Sequence, residues 1–277
     1  MKVLLILAAI IISPASLVAQ SSVPATHQTH TDCSSSVICP DEELVYEVSW
    51  MKIPLGQIKL KTLESKMTET GVEHNVSAYI DSYSGLPFVD LHAIDHSHMD
   101  ETFYSKGFDA IEKKGDQWIS EKSRCDVQQK LLVVEKTIQA DKNSAPSGPS
   151  TFDTLRLKSV PIQDGLSILY FARANIRSGR EIRVPTVVYG KQGMTRFHFQ
   201  ATTDFEEIEA VKDKKIRVIL LEGNAEFEGI FGFTGDFKGW FSDDAAAIPI
   251  KAELSVLVGT VKIELTQWNR RAWIMPR

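Results

Sequence analysis

From residue 43 onward, apolar side chains recur at every second position in short runs. Turn-forming residues separate the runs, which is the pattern of strands covered on one face. Leu44, Tyr46, Val48 and Trp50 share one face, opposite Glu43, Val45, Glu47 and Ser49. Pro54-Leu55-Gly56 predicts a turn and 57–66 a returning strand. A second hairpin is predicted from 72–83 through Ser84-Gly85-Leu86-Pro87 into 88–96, and short strands at 101–111 and 116–122 flank Lys113-Lys114-Gly115. A longer strand follows at 127–139, then a Pro, Gly and Ser loop at 141–150. A second series is predicted at 181–189, 194–202, 205–211 and 215–221. Glycines at 223, 229, 232, 235 and 239 punctuate a segment bearing Phe227, Phe231, Phe233 and Phe237, which reads as a loop or bent strand at a groove mouth. The last two runs, 248–257 and 260–266, form a hairpin whose bend places Gly259 where positive φ is needed.

The main helical signal is Leu166, Leu169, Tyr170 and Arg173 behind Asp164, predicting a helix over 165–176 with Asp164 as cap and Arg173 facing solvent. Twelve residues rise about 18 Å, too short to cover so many strands. The expected fold is mainly β (α+β): a large curved antiparallel sheet or partly open barrel with one short packed helix. The series is compositionally continuous, so 42–277 reads as one domain.

Residues 1–19 carry Lys2, an apolar run over 3–12 and small residues at Ala15 and Ala19, the pattern of a signal peptide. Residues 20–41 lack periodicity and predict a flexible lead-in. Later runs are too short or too charged to span a bilayer as a helix. The expectation is therefore a soluble exported protein, periplasmic or secreted. An oxidising compartment lets Cys33 and Cys39 close a small disulfide loop and leaves Cys125 unpaired. The formal charge is −5 with no basic stripe, which argues against nucleic-acid binding.

Candidate chemistry is sparse. Asp90, His92, His96, His98 and Asp100 share even parity, so an extended strand puts them on one face. Strand residues two apart are about 6.6 Å apart, too far for ligands to converge without a turn. The histidines therefore predict a polar, solvent-facing strand, with no metal and no cofactor expected. Ser242-Asp243-Asp244 follows Trp240 and Phe241. Adjacent carboxylates on a strand point to opposite faces, so the expected role is to organise the turn into the last hairpin. Hydrolysis at this pair remains a third reading. The glycines lack the strand-to-helix context of a phosphate loop.

Trp240, Ser242-Asp243-Asp244, Pro249, Gly259 and Leu265, preceded in order by LVYEVSWMKIPLG at 44–56 and PIQDGLSILYFAR at 161–173, resemble the DUF3108 family of exported bacterial proteins. The resemblance implies an exported, β-rich domain without established chemistry. By fold alone it is also similar to the half-barrel lipid carriers of lipoprotein localisation. Two functions follow as expectations. One is a non-enzymatic carrier holding a lipophilic small molecule in a cavity formed by Tyr46, Trp50, Phe231, Phe233 and Trp240. The other is an envelope structural domain that binds another envelope protein.

Overall fold

A computed structural model describes residues 33, 36–87, 89–188, 190–226 and 235–277. The leader over 1–19, most of 20–41, and Phe231 and Phe233 lie outside the described residues. Among the described residues, the chain forms fifteen strands and one α-helix. The strands are β1 (Glu43–Trp50), β2 (Ile53–Thr62), β3 (Lys66–Thr68), β4 (Gly71–Ser82), β5 (His92–Met99), β6 (Ser105–Lys114), β7 (Gln117–Asp126) and β8 (Leu131–Gln139). They continue with β9 (Thr151–Arg156), β10 (Glu181–Val188), β11 (Lys191–Glu206), β12 (Ile216–Ala225), β13 (Gly235–Ser242), β14 (Pro249–Ser255) and β15 (Thr260–Asn269).

All of them belong to one antiparallel sheet in the order β10-β11-β12-β13-β14-β15-β1-β2-β4-β5-β6-β7-β8-β9, with β3 beside β4. Sheet neighbours are also sequence neighbours, except at β15–β1, where the two ends of the domain meet, and at β2–β4. β9 and β10 do not pair, so the sheet is not closed into a barrel. Helix α1 (Ser167–Asn175) lies in the connection between these two edges. Before entering α1, that connection donates the Gln163 amide to Pro185 O and accepts from the Val187 amide, both at 2.8 Å. It thereby covers one edge of β10, where Pro185 lacks an N–H to offer.

Several boundaries differ from the sequence pattern. The first turn lies at Met51-Lys52, both at positive φ (48° and 69°), while Pro54 and Gly56 are inside β2. Gly56 answers a close approach instead, since a Cβ there would lie 2.3 Å from Asp81 O. The two runs expected at 194–211 are largely one strand, β11, broken by a register shift between Phe199 and Thr203 with Ala201 at φ 52°. Gly223 belongs to β12, and the end of the glycine-rich segment is β13. Gly259 takes φ 80° in the β14–β15 turn.

Most of the helix is buried, with Ala174 its one exposed residue, because SILYFARAN is apolar on more than one side. Leu166 and Tyr170 pack into a core drawn from β1, β2, β4, β5 and β12–β15, while Phe171, Ala172 and Ile176 pack against β10–β13. Arg173 does not face solvent. It is fully buried, and NH1 and NH2 donate to Glu42 Oε1 and Oε2 at 2.8 and 3.1 Å. Its Nε and NH2 also donate to Ala246 O. A second guanidinium, Arg270, pairs with Glu42 Oε2 and donates to Cys33 O and Ser36 O. Cys33 and Cys39 are joined in a disulfide and both are buried. This part of the expected lead-in is thus anchored, and the disulfide loop supplies carbonyls that Arg270 needs.

Burial alone would raise the Glu42 carboxyl, but Arg173 and Arg270 outweigh it and hold its pKa below the usual range. Glu42→Gln leaves two buried guanidiniums without their counter-charge and should cost about 3–5 kcal/mol in a urea unfolding midpoint at pH 7. A carboxyl with a lowered folded pKa stabilises fully above its unfolded pKa of about 4.3 and loses that stabilisation as pH falls through the folded value. The gap between wild type and Gln variant should therefore shrink in acid. A gap that is constant from pH 7 to pH 3 contradicts the assignment.

Candidate functional site

The helix leaves part of the concave side of the sheet unfilled. A cavity of about 340 Å³ lies there, at the small end of ligand-binding sites. Ile58, Leu60, Ala78 and Ile80 wall it from β2 and β4, Leu254 and Ile263 from β14 and β15, and Leu166 and Leu169 from the helix. Tyr46 lies at its wall, and its hydroxyl donates to Pro249 O at 2.9 Å, so the ring faces the cavity as an apolar surface with its polar tip satisfied.

Two charge-bearing residues line this space. Lys251 carries its ammonium to Glu206 and Glu253, 3.2 and 3.3 Å away, and over the Trp240 ring at 4.3 Å. Neither carboxylate lines the cavity, so the lysine is already neutralised outside it and mainly its stem serves as wall. Asp95 differs. In β5 the positions alternate strictly, and Ala93, Asp95, Ser97 and Met99 are the buried set. Asp95 lines the cavity and its Oδ1 is buried without a hydrogen-bond partner. Burial, followed by the Asp164 and Glu112 carboxylates nearby, pushes its pKa up to about 7.

Asp164 is itself fully engaged. Its Oδ1 accepts from the Leu166 and Ser167 amides at 2.8 Å, and its Oδ2 accepts from the Ser97 hydroxyl at 2.7 Å. It caps the turn into α1 as its position suggests and leaves Asp95 as the unpaired group. An apolar cavity holding one half-protonated carboxyl can hydrogen-bond a neutral polar group on a lipophile.

The profile of a family described as "Protein of unknown function (DUF3108)" matches residues 45–266. The chain belongs to the DUF3108 family. No curated protein gives a significant sequence match. Among solved structures, the DUF3108 chain is similar to a β-barrel-like protein of the DUF1849 domain from Brucella abortus, at TM-score 0.52 and 9% identity over 86% of this chain and 100% of that one. At this identity the likeness concerns fold alone. Weaker overlaps are with a Bacteroides fragilis protein described as exported with a YmcC-like fold (TM-score 0.36, 7% identity, 84% and 97% coverage) and a Parabacteroides distasonis protein described as a lipoprotein (TM-score 0.34, 9% identity, 85% and 99% coverage). Among the described residues, no helix is long and apolar enough to cross a membrane.

Of the five aromatic residues expected to form the cavity, Phe231 and Phe233 lie outside the described residues, and Tyr46 is the one of the other three that lines it. Trp50 stands instead at the β1–β2 turn, donating Nε1 to Val258 O at 2.7 Å, and Trp240 is a core side chain beneath Lys251. The acidic knot is split between two tasks. Asp243 pairs with Arg177 and Arg217 at 2.6 and 3.0 Å. Asp244 Oδ1 accepts from Ser242 Oγ and the Ala246 and Ala247 amides, and Oδ2 from Trp273 Nε1. The two carboxylates thus face different partners, and the geometry lends no support to hydrolysis by the pair.

On the outer side of β5, His92 meets Asp81 and Asp90, His96 meets Ser77, and His98 meets Asn75 and Asp109. These are cross-strand partners, and no grouping of three His, Cys, Asp or Glu among the described residues is arranged to hold a metal. The residue that the even-parity histidines obscured is Asp95 on the opposite face. Its signal was parity with Ala93 and Met99, two side chains suited to a core.

Asp95 makes the domain's stability depend on pH in a defined direction. A carboxyl whose folded pKa is raised stabilises the folded state only below its unfolded pKa, about 3.9, and that stabilisation is lost as pH rises through the folded value near 7. Asp95→Asn should match wild type near pH 4 and exceed it by about 3–4 kcal/mol at pH 8, provided the amide costs no more than the protonated acid. Urea unfolding of both proteins across pH 4–8 reads the difference directly. Parallel curves overturn the assignment.

Proposed function

We propose that this DUF3108 domain is an exported, non-enzymatic binding protein that holds one lipophilic small molecule, an acyl chain or a similar apolar group, in the concave cavity. The carrying observation is an apolar space of about 340 Å³ whose wall includes a buried carboxyl oxygen without a partner. A polar group buried in that way costs free energy that a ligand's hydroxyl or carbonyl would recover. The Asp95 carboxyl, with a pKa pushed up to about 7 and so part-ionised near neutrality, would favour an uncharged head over a carboxylate. The leader-like pattern of residues 1–19 and the disulfide support export.

Native mass spectrometry of protein recovered from the cell envelope, followed by organic extraction, tests the reading. The expected result is a reproducibly copurifying lipophile and saturable binding of a fluorescent fatty alcohol. Ala78 is buried on the cavity wall, and Ala78→Phe fills space the ligand needs. Its probe affinity should fall by about tenfold or more, on the order of the apolar contact one ring displaces. No copurified lipophile and no saturable probe binding would leave the domain as an envelope structural or protein-interaction module.

A further inference from the structure

Three connections at one end of the sheet break the usual rule that hairpin tips are polar. They are the β1–β2 turn, the β14–β15 turn and the segment joining β4 to β5, and the order β14-β15-β1-β2-β4-β5 makes them neighbours. Trp50 Nε1 bonds Val258 O, a Cβ on Gly259 would lie 3.5 Å from Met51 Cγ, and the Tyr83 amide donates to Leu55 O at 2.9 Å. The side chains they present are Leu257 (89% exposed), Val258 (65%), Met51 (64%), Ile53 (44%) and Tyr83 (37%). Across residues 50–56, 82–91 and 255–261 the charged residues are Lys52 and Asp90. The ordinary pattern is visible nearby, where the β6–β7 turn reads Lys113-Lys114-Gly115-Asp116.

A contiguous exposed apolar patch marks a partner or a membrane. Here the apolar groups project from narrow turns, and the flanking rings of Trp50 and Tyr83 are the amphipathic type found at headgroup level. The charges of the three connections are Lys52 at a tip and Asp90 beside β5, where Asp90 pairs with His92 and Lys113. Anionic lipid headgroups complement Lys52. The patch also adjoins the cavity. Leu254 and Ile263 wall the cavity and pack in the same cluster as Trp50 and Val256.

We propose that this end of the sheet docks on a lipid surface, with Met51, Leu257 and Val258 entering the apolar layer and Lys52 meeting anionic headgroups. The cavity then opens beside the layer from which a lipophile would be drawn. That last step rests on the binding function proposed above, whereas the docking itself does not.

Flotation of the protein, as recovered from the cell, with vesicles of phosphatidylethanolamine and phosphatidylglycerol tests it. Wild type should float with the vesicles, and Leu257→Ser with Val258→Ser should lower partitioning by about tenfold or more. Lys52→Glu should weaken binding to the mixed vesicles and leave binding to phosphatidylethanolamine with phosphatidylcholine largely unchanged, because only the first carry net negative charge. All these positions are exposed, so unchanged melting temperatures and unchanged uptake of the dissolved fluorescent alcohol separate loss of docking from loss of the cavity. Wild type that stays at the bottom of the gradient overturns the proposal, as does a double variant that floats equally well. Sedimentation showing that the substitutions dissociate a dimer, without vesicle binding by wild type, would assign the patch to a second copy of the chain.

Discussion

A single carboxylate out of reach of water, Glu42, holds the two ends of this domain together. It faces Arg173 from the helix and Arg270 from the segment after β15, and those guanidiniums in turn satisfy the Ala246, Cys33 and Ser36 carbonyls. Each ion alone would carry a desolvation cost of several kcal/mol, so the arrangement is favourable only when all three are in place. That condition coincides with the one strand pairing that joins distant sequence, β15 with β1. Every other neighbour in the sheet is reached by a short local connection, whereas this one requires closing most of the chain. The buried cluster thus sits where closure costs most entropy, and it links the disulfide loop, the helix and the entry to the last hairpin in one interaction.

The cavity follows from the same constraint. Glu42 fixes α1 through Arg173 near the β1 end of the concave side, where Tyr170 also meets the Thr62 hydroxyl at 2.8 Å. A nine-residue helix rises only about 14 Å, and its side chains are divided between two cores. It therefore plugs part of the sheet's interior and leaves the part bounded by β2, β4, β5, β14 and β15. Space remains because the helix position is set by charge and hydrogen bonds and cannot slide to optimise apolar packing.

Strand alternation made the fold class readable, since a two-residue period survives even where turns are misplaced. The last hairpin was readable because Gly259 is the residue its φ requires. The first turn was not, because Met51 and Lys52 adopt positive φ without the glycine or asparagine that would announce it, while Pro54 and Gly56 look like a turn and serve inside a strand. Arg173 fell beyond local reading for another reason. Its partners are 131 residues upstream and 73 downstream, so no window around the helix distinguishes a solvent-facing arginine from a buried one. Asp95 was hidden by its neighbours: three histidines of one parity drew attention to the outer face of a strand whose inner face carries the unpaired carboxyl.

Asp95 and the hairpin tips depart from ordinary burial in opposite senses. One places a carboxyl where water is excluded, and the other places leucine, valine and methionine where water is abundant. A folded domain of this kind has net stability of about 5–15 kcal/mol, so a buried carboxyl with a strongly raised pKa takes a sizeable share of it, and an aliphatic side chain in the same place would take none. Exposed tips add no stability to an isolated chain, since their apolar surface is solvated before and after folding. Under the two proposals each departure has a partner that offsets it, a ligand's hydroxyl or carbonyl for Asp95 and an apolar layer for Leu257 and Val258. Because Leu254 and Ile263 belong to the cavity wall and also to the cluster beneath the tips, the two places are joined by continuous apolar packing. A lipophile moving between them would cross no band of charged side chains among the residues named, which is the physical requirement for transfer without passage through water.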